Sequence, residues 1–312
     1  MRKWQTRVFS AALAGLLGLF AVRGASQEKL TTPPPPSYAP GGPADFRHPG
    51  IDTDVFLYIN HWKNSTPFED HGGLIERDIL TRGDPLHPPR KGAVLKYVKV
   101  YRRAVLEPRT NTAPVKAAGE QVFFYVASGK GRVEAGGKSA GLEEGSAVFI
   151  PAGRDYRFLN PFAEPLEMYL VVEEAAPGFV PNPGISIGSY RGSQPVFGTH
   201  WAHIAHPFSY DVEPKFSNPM GFVVIAIDGF DIAQPHTHGP GTEEVWLQLR
   251  GRSLLFFGNR LLWQETGEAF LIPPNNTVPH ASINYSEEPM LWLFMGCTHP
   301  EDASTSGHSK ER

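Results

Sequence analysis

The sequence predicts an all-β protein made of two similar barrels, and three observations support this fold class. Pro (30) and Gly (32) together form about a fifth of the 312 residues, which is typical of short strands joined by turns. Short runs of β-branched and aromatic residues recur, whereas long helical periodicity is scarce. Landmark residues also repeat at one spacing along the chain. Many short strands with such turns predict a sandwich or barrel in each copy.

Charge and cysteine content narrow the function classes. The formal net charge is −3, so no basic surplus is present to neutralise phosphates, and nucleic acid is not expected as a partner. The single cysteine, Cys297, excludes an intramolecular disulfide and any metal site built from clustered cysteines. A metal ion in this protein would therefore need histidine or carboxylate ligands.

The first 26 residues have the layout of a secretory signal peptide. A basic start is followed by an uncharged apolar run over 8–22 and then by small residues at 24–26. The run is short for a membrane span of about 20 residues, and no cysteine for lipid attachment follows it. Cleavage near Ala25 would remove four positive charges and no acids, which takes the formal charge from −3 to −7. We therefore expect a periplasmic or secreted protein without stable membrane insertion.

Three further segments are predicted outside the barrels. Residues 27–45 contain four successive prolines and are interpreted as a polyproline II spacer, in preference to a docking peptide. Residues 46–89 are polar, lack a recognisable motif and are interpreted as an N-terminal extension that covers a barrel. Residues 301–312 are small and polar, and we expect a flexible tail.

The internal repeat divides the remaining chain into two units, 90–180 and 181–300. Three pairs of landmarks are each 122 residues apart: Gly129 and Gly251, Gly145 and Gly267, Pro151 and Pro273. Asn160 and Asn284 are 124 apart, which implies a two-residue insertion in the second copy. The predicted strands include 121–126, 147–150 and 166–172 in the first unit and 221–227, 244–249, 269–272 and 289–294 in the second.

One segment of the second unit carries residues suited to metal chemistry. His236 and His238 are two apart, so on a strand their imidazoles share one face. A turn over 239–241 brings a carboxylate on the next strand alongside them, and His280 follows later. Three histidines and one glutamate form a mixed nitrogen and oxygen site for one divalent transition metal ion: Fe, Mn, Zn, Ni or Cu.

This pattern resembles the two motifs of the cupin superfamily, G-x5-H-x-H-x3–4-E-x6-G and G-x5-P-x-G-x2-H-x3-N. The matching residues are Gly251 seven positions after Glu244, Gly267 with Pro273, and His280 with Asn284. The spacing departs from the family pattern in three places: around Gly229, between His238 and Glu244, and between Pro273 and His280, where Asn275 replaces a glycine.

The resemblance implies that His236, His238, Glu244 and His280 are the metal ligands. Glu243 would fit the family spacing better than Glu244 does. We prefer Glu244, because position along a strand fixes the face of a side chain and a loop absorbs an insertion more easily. Glu243 remains the alternative.

The first unit also resembles a cupin and lacks the ligands. Its second motif runs from Gly145 to Asn160, with Tyr156 where the family has histidine. An offset of 122 places Pro114, Lys116 and Val122 opposite the other three ligands. The resemblance therefore implies a bicupin over most of residues 90–298, with a degenerate first domain and a metal-binding second domain.

Other residues are candidates for contacts around the metal or substrate. Gln234, Trp246 and Gln248 share the parity of the ligands on their strands and are expected to point inwards. His200, His203 and His206 recur every three residues, and we interpret them as packing or surface histidines in preference to a second metal site.

The resemblance implies a metal-dependent cupin enzyme, of dioxygenase-like oxidoreductase type, that acts on a small oxygenated molecule. Two alternatives remain open: a non-catalytic cupin that binds a small ligand or sugar, and a Zn-type cupin isomerase or lyase. A homodimer is also compatible with the resemblance, since cupins commonly dimerise through barrel edges.

Overall fold

The computed structural model describes residues 53–299, Glu301 and Asp302. The predicted signal peptide (1–26), the proline-rich linker (27–45) and nearly all of the predicted tail (301–312) lie outside the described residues. The described chain consists mainly of β-strands, so the predicted all-β fold class is confirmed. Within it, no helix has the length and apolar character needed to cross a membrane.

The strands of the described chain are short, and two 3-10 turns, Val55–Leu57 and Trp62–Asn64, flank the first of them. The strands up to Glu174 are β1 (Ile59–His61), β2 (Phe68–Asp70), β3 (Leu74–Arg82), β4 (Ala93–Leu95), β5 (Val100–Leu106), β6 (Thr110–Asn111), β7 (Val115–Lys116), β8 (Glu120–Ser128), β9 (Lys130–Ala135), β10 (Lys138–Glu143), β11 (Ser146–Ile150), β12 (Asp155–Asn160) and β13 (Leu166–Glu174). The later strands are β14 (Ser186–Ser189), β15 (Val196–Thr199), β16 (His203–Pro207), β17 (Ser209–Tyr210), β18 (Met220–Ile227), β19 (Thr242–Arg250), β20 (Ser253–Phe257), β21 (Arg260–Gln264), β22 (Glu268–Leu271), β23 (His280–Ile283) and β24 (Met290–Thr298).

These strands form two barrels, each made of a large sheet and a small one. In the first barrel the large sheet has the order β17-β14-β11-β8-β13-β5-β3-β2, with β4 beside β3, and the small sheet has the order β10-β9-β12-β6, with β7 beside β12. In the second barrel the large sheet has the order β1-β22-β19-β24-β18-β16-β15, and the small sheet has the order β21-β20-β23. Apart from β3 with β4, neighbouring strands are antiparallel, as in a jelly roll.

The repeated landmarks perform the same structural tasks in both barrels. The side-chain amide of Asn160 donates hydrogen bonds to the carbonyls of Leu106 (3.2 Å) and Glu164 (2.8 Å). The amide of Asn284 does the same with Ile227 (3.0 Å) and Glu288 (2.8 Å). Gly145 and Gly267 both have a left-handed backbone, with φ of 90° and 89°, which glycine adopts without steric cost. The duplication in the sequence therefore corresponds to a repeat of the same glycine turns and of the same asparagine side-chain hydrogen bonds.

The N-terminal extension does more than cover a barrel. Its strand β1 pairs with β22 of the second barrel, while β2 and β3 join β5 of the first. Sequence reasoning missed these strands because β3 carries Glu76, Arg77 and Asp78 in its middle. Glu76 is nevertheless fully buried and pairs with Arg102 at 3.0 Å, so an ion pair replaces the apolar pattern that usually marks a strand.

The two barrels pack through the outer faces of their large sheets. Phe123 of β8 and Phe222 of β18 stack at a centroid distance of 3.8 Å, whereas the next residue, Phe124, points into the first barrel against Phe158. Both faces of β8 are thus buried, which explains its unbroken apolar run. The first barrel also extends past residue 180, the predicted end of its unit, because Ser186–Ser189 pairs with β11.

Candidate metal centre

Four residues that are distant in the sequence meet inside the second barrel. His236 and His238 lie in the connection between β18 and β19, Glu244 lies in β19, and His280 begins β23. The backbones of His236 and His280 pair directly, with N–H···O distances of 3.3 and 3.0 Å. This pairing holds the two histidines side by side, so backbone hydrogen bonds position His236 relative to His280.

The potential ligand atoms of these four residues all lie within 4.8 Å of one another. Nε2 of His238 lies 3.1 Å from Oε2 of Glu244, and Nε2 of His280 lies 3.4 Å from Oε1. Both nitrogens, together with Nδ1 of His280, are buried and have no hydrogen-bond partner among the described residues. Buried polar atoms without partners are costly, and a metal ion would satisfy the inward-facing ones. The donor set fits a divalent transition metal.

The electrostatics of the cluster suit metal binding. Burial by itself would raise the pKa of Glu244, but the imidazoles of His238 and His280 outweigh it and hold that pKa well below its usual range. Burial lowers the pKa of His280 to about 4, although Glu244 acts in the opposite direction, and burial also lowers the pKa of His236. Glu244 is therefore charged at neutral pH, while these two imidazoles are neutral, which is the ligating form.

Surrounding groups orient the ligands. Nδ1 of His236 lies 2.8 Å from the carbonyl oxygen of Gln234, so Nδ1–H donates there and Nε2 is left for the metal. The indole N–H of Trp246 donates a 2.7 Å hydrogen bond to Oε1 of Glu244. The ring of His200 stacks on His236, with centroids 4.3 Å apart and planes 22° apart. Each of these contacts restricts the rotation of a candidate ligand side chain.

The three predicted neighbours of the site have different outcomes. Trp246 is buried, and its indole contacts Glu244, a candidate ligand. Gln248 is buried, as expected, but its amide bonds the carbonyl of Arg250 and its carbonyl accepts from Ser253, so it contacts no ligand. The prediction that the Gln234 side chain points inwards is wrong, because this residue is exposed and acts through its backbone. The parity argument fails there because 228–241 forms only isolated bridges and no regular strand.

The structure brings Glu244, and not Glu243, to the histidines. Glu243 points to the opposite face of β19, where its carboxylate accepts hydrogen bonds from the backbone N–H groups of Lys96 (2.5 Å), Tyr97 (3.1 Å) and Val98 (3.2 Å). Burial raises the pKa of Glu243 to about 7, against the effect of these donors. Glu243 therefore links the second barrel to the segment that precedes β5.

Two histidines of the His200–His206 series lie at the site, which sequence reasoning missed. His203 is buried beside Trp246, at a ring distance of 5.1 Å, and burial lowers its pKa to about 3. His206 instead meets Tyr190 edge-on, at 6.0 Å. The recurrence of histidine every three residues was the available signal. A regular strand in this segment does not predict the turn that carries His200. That turn has positive φ at His200 (47°) and Trp201 (65°).

The first barrel has no metal ligand at the corresponding positions. Tyr156 pairs with Val115 as His280 pairs with His236, so the residues in register with the two histidines of the His-x-His pair are Val115 and Ala117. The uniform offset of 122, which gave Pro114 and Lys116, is thus wrong by one residue. The cause is an extra residue in the second barrel's loop between His238 and Glu244, where the sequence departs from the family spacing.

Comparisons with known proteins agree with this architecture. Residues 102–172 match the family described as Cupin domain. The search of curated proteins gave no match. Among solved structures, AerE from Microcystis aeruginosa has a TM-score of 0.57 at 13% identity, over 78% of this chain and 100% of that chain.

Two other structures are similar to a comparable extent. A variant of Bacillus subtilis oxalate decarboxylase OxdC has a TM-score of 0.57 at 13% identity and covers 76% of each chain. Ylba from E. coli has a TM-score of 0.51 at 16% identity, over 74% of this chain and 93% of that one. Identities this low show a shared fold and leave activity open. The first barrel therefore contains a match to the cupin domain family over residues 102–172, and the second barrel repeats the same fold.

Proposed function

We propose that the second barrel binds one divalent transition metal ion and that the protein is a metal-dependent enzyme acting on a small oxygenated molecule. The proposed ligands are His236, His238, Glu244 and His280. One observation carries the proposal: buried imidazole nitrogens without hydrogen-bond partners among the described residues surround a buried carboxylate. Dioxygenase-like oxidoreductase chemistry is our preferred reaction class.

A bound ion of this type supplies Lewis acidity and, for a redox-active metal, electron transfer to or from a bound substrate. The residues of the chain hold and tune the site. Trp246 keeps the carboxylate of Glu244 in one orientation, and the carbonyl of Gln234 fixes the tautomer of His236. His200 and His203 continue the line of rings from His236 to Trp246, which shields the ligands from water on that side.

The choice of metals and substrates to test follows from the structural neighbours. Bacillus subtilis oxalate decarboxylase, which has a TM-score of 0.56 in another structure, contains Mn(II) centres. Manganese is therefore the first metal for reconstitution, and short carboxylic acids are the first substrates. Fe, Zn, Ni and Cu follow, because the donor set accepts each of them.

The deciding measurement is metal content by elemental mass spectrometry on protein purified without a His tag. We expect about one metal ion per chain in the parent protein and none in the His236→Ala/His238→Ala variant. His206→Ala is the matched control, because it removes a histidine that lies outside the cluster, and it should keep the metal. A parent protein that binds none of the candidate ions after reconstitution would contradict the site and the enzyme together.

The identity of the metal then separates the reaction classes. A redox-active ion directs the substrate screen to reactions that consume oxygen, which are followed with an oxygen electrode. Zinc would favour the isomerase or lyase alternative, and the screen would move to those reactions. Saturable binding of a small molecule without turnover would favour the non-catalytic cupin instead.

We further propose that the protein is exported. This rests on the basic, apolar and small-residue order of the first 26 residues. The intact mass of protein recovered from outside the cytoplasm should correspond to a chain that starts near Ser26. Recovery there of a chain that retains Met1 would contradict cleavage.

A further inference from the structure

The first barrel has a cavity at the place where the second barrel has its candidate ligand cluster. Its volume is about 230 Å³, which is space for roughly seven water molecules at about 30 Å³ each. The residues that correspond to the four candidate ligands line it: Val115, Ala117, Val122 and Tyr156. Apolar side chains at three of these positions therefore leave an open space inside the barrel.

Carboxylates outnumber basic groups around this cavity. The guanidinium of Arg102 bonds Asp70 (3.0 Å), Glu76 (3.0 Å) and Asp78 (2.7 Å), so one positive charge serves three negative ones. The formal charge of this group is 1 − 3 = −2, and it is −1 when the imidazole of His71, whose Nδ1 lies 2.5 Å from Oε1 of Glu76, is protonated. Glu76 is fully buried. An uncompensated charge in such a place is costly, so the interior of the first barrel attracts a cation.

The remaining charges around the cavity do not reverse this sign. Lys99 is the partner of Glu120, which makes that pair neutral. Lys99 engages only Oε1 of Glu120, and Oε2 makes no hydrogen bond with any described residue. Glu120 shares the parity of Val122 on β8, and both line the cavity. Lys116 is exposed and alternates with the inward-facing Val115, so its ammonium points away from the cavity.

The hydroxyl of Tyr156 is a second, independent feature that points to a ligand. The residue is only 2% exposed and lines the cavity, and its hydroxyl makes no hydrogen bond with any described residue. Burial raises the pKa of Tyr156, and the charges of Glu76, Asp70 and Glu120 raise it further. Tyr156 is therefore a neutral phenol at neutral pH, surrounded by negative charge. Its oxygen has lone pairs that can accept a hydrogen bond from a cationic donor.

A second metal ion suits this cavity poorly. Asp70, His71 and Glu76 are close enough to share an ion. However, the guanidinium of Arg102 bonds both carboxylates at 3.0 Å and thereby occupies the position of a cation. Their other oxygens are engaged as well, since Asp70 accepts the backbone N–H of His71 at 2.8 Å and Glu76 is bound by Nδ1 of His71 at 2.5 Å. The acceptors that remain are too few for a metal ion and suit a cation that donates hydrogen bonds.

We propose that this cavity is a second, metal-independent binding site for a small protonated amine, whose ammonium donates hydrogen bonds to Glu120 and Tyr156. The short carbon chain of the amine packs against the apolar part of the lining. This part consists of Val100, Val115, Ala117, Val122 and Val172. The ligand class is therefore a short alkylamine or amino alcohol. The proposal is independent of the metal centre, because none of its residues belongs to the second barrel's cluster.

The test is calorimetric titration of the full chain, at constant ionic strength, with three molecules of similar size: propylamine, 1-propanol and propionate. They carry a positive charge, no charge and a negative charge. The His236→Ala/His238→Ala variant is the background, so that coordination of the amine to a metal cannot contribute. We expect saturable binding of propylamine, about tenfold weaker binding of 1-propanol and no binding of propionate.

Substitution of the two acceptors locates the site. Glu120→Gln should weaken the binding of propylamine about tenfold, because it removes a charged acceptor. Tyr156→Phe should weaken it severalfold, because it removes a neutral one. Glu107→Gln is the matched control, because Glu107 is an exposed glutamate outside this cavity, and it should bind propylamine as the background does.

A stability measurement separates lost binding from lost folding. Because the Tyr156 hydroxyl has no partner among the described residues, Tyr156→Phe should leave the Tm of the ligand-free protein unchanged or raise it. Propylamine should raise the Tm of the background protein, and this rise should be smaller in Tyr156→Phe. The proposal is overturned if propylamine does not bind, if 1-propanol binds as tightly, or if Glu120→Gln and Tyr156→Phe both bind propylamine as tightly as the background does.

Discussion

The two barrels of this protein share a scaffold and differ at the four positions that form the candidate metal site of the second barrel. Tyr156 replaces His280, and Val115, Ala117 and Val122 occupy the positions of the other three candidate ligands. The side chains of Asn160 and Asn284 nevertheless donate equivalent hydrogen bonds to backbone carbonyls in the two barrels. The scaffold thus persists without the site, because its stability comes from turns and sheet packing and not from ligands.

The largest expected effect comes from exchanging the residues at the His280 position. His280→Ala removes one of four ligands and should lower the metal affinity of the second barrel by more than about 100-fold. Tyr156→His is the reciprocal change, and it should add no metal to the first barrel, since the other three positions there are apolar. Metal content and metal titration measure both. A second ion per chain in Tyr156→His would show that the barrels differ less than we infer.

The next largest effect is expected at acid pH, where two buried histidines of the second barrel should lower the stability of the protein. Burial is the main cause that lowers the pKa of His203 to about 3 and of His280 to about 4. Unfolded histidine titrates near pH 6.5, so below that pH the unfolded chain binds more protons than the folded one. The free energy of unfolding of the metal-free protein should therefore decrease as the pH is lowered below about 6.5. Each of the two histidines contributes at most about 1.4 kcal/mol per pH unit.

The neighbouring His238 opposes this trend only above about pH 6.5. The charge of Glu244 raises the pKa of His238 despite burial, so its contribution is fully present below pH 6.5 and is lost only at higher pH. Urea unfolding at about pH 6 and pH 5, where the contribution of His238 is constant, measures the effect. His203→Leu should flatten the pH dependence, whereas the exposed His87→Ala should leave it unchanged. An equal slope in parent and His203→Leu would contradict the assignment.

A smaller effect is expected when Trp246 is converted to the residue that the first barrel has. Its counterpart 122 positions earlier is Phe124. Trp246→Phe keeps an aromatic ring and removes the 2.7 Å hydrogen bond to Glu244. Metal affinity should fall by about tenfold, the lower end of the range for residues that orient a ligand. Leu293→Val, a change in the same large sheet whose strand partners Val224 and Leu247 are not candidate ligands, is the control and should retain the parent affinity.

The smallest effect is expected at Gln234. Its side chain is exposed, and its carbonyl is the group that contacts His236. Gln234→Ala should therefore change metal affinity by less than about twofold. Gln234→Pro alters the backbone that presents the carbonyl and serves as the contrast, with a clear loss of affinity. If Gln234→Ala also caused a large loss, the side chain would have a role that the structure does not show.

Much of the candidate site could be predicted because its residues are local motifs. The His-x-His pair, the following carboxylate and the later histidine each occupy a fixed place in a repeated unit. Periodicity along β19 was sufficient to choose Glu244 over Glu243, since alternate residues of a strand face opposite sides. The same rule failed for Gln234, whose segment is not a regular strand.

The sequence by itself determined the strand class, the duplication and the four residues of the candidate metal site, because these depend on short-range spacing and composition. Only the tertiary structure decided that β1 and β3 belong to different barrels, that His200 stacks on His236, and that Arg102 pairs with the buried Glu76. The physical reason is that these contacts join segments far apart in the chain. Their partners are chosen by sheet pairing, burial and charge in three dimensions, and none of these leaves a periodic trace in the sequence.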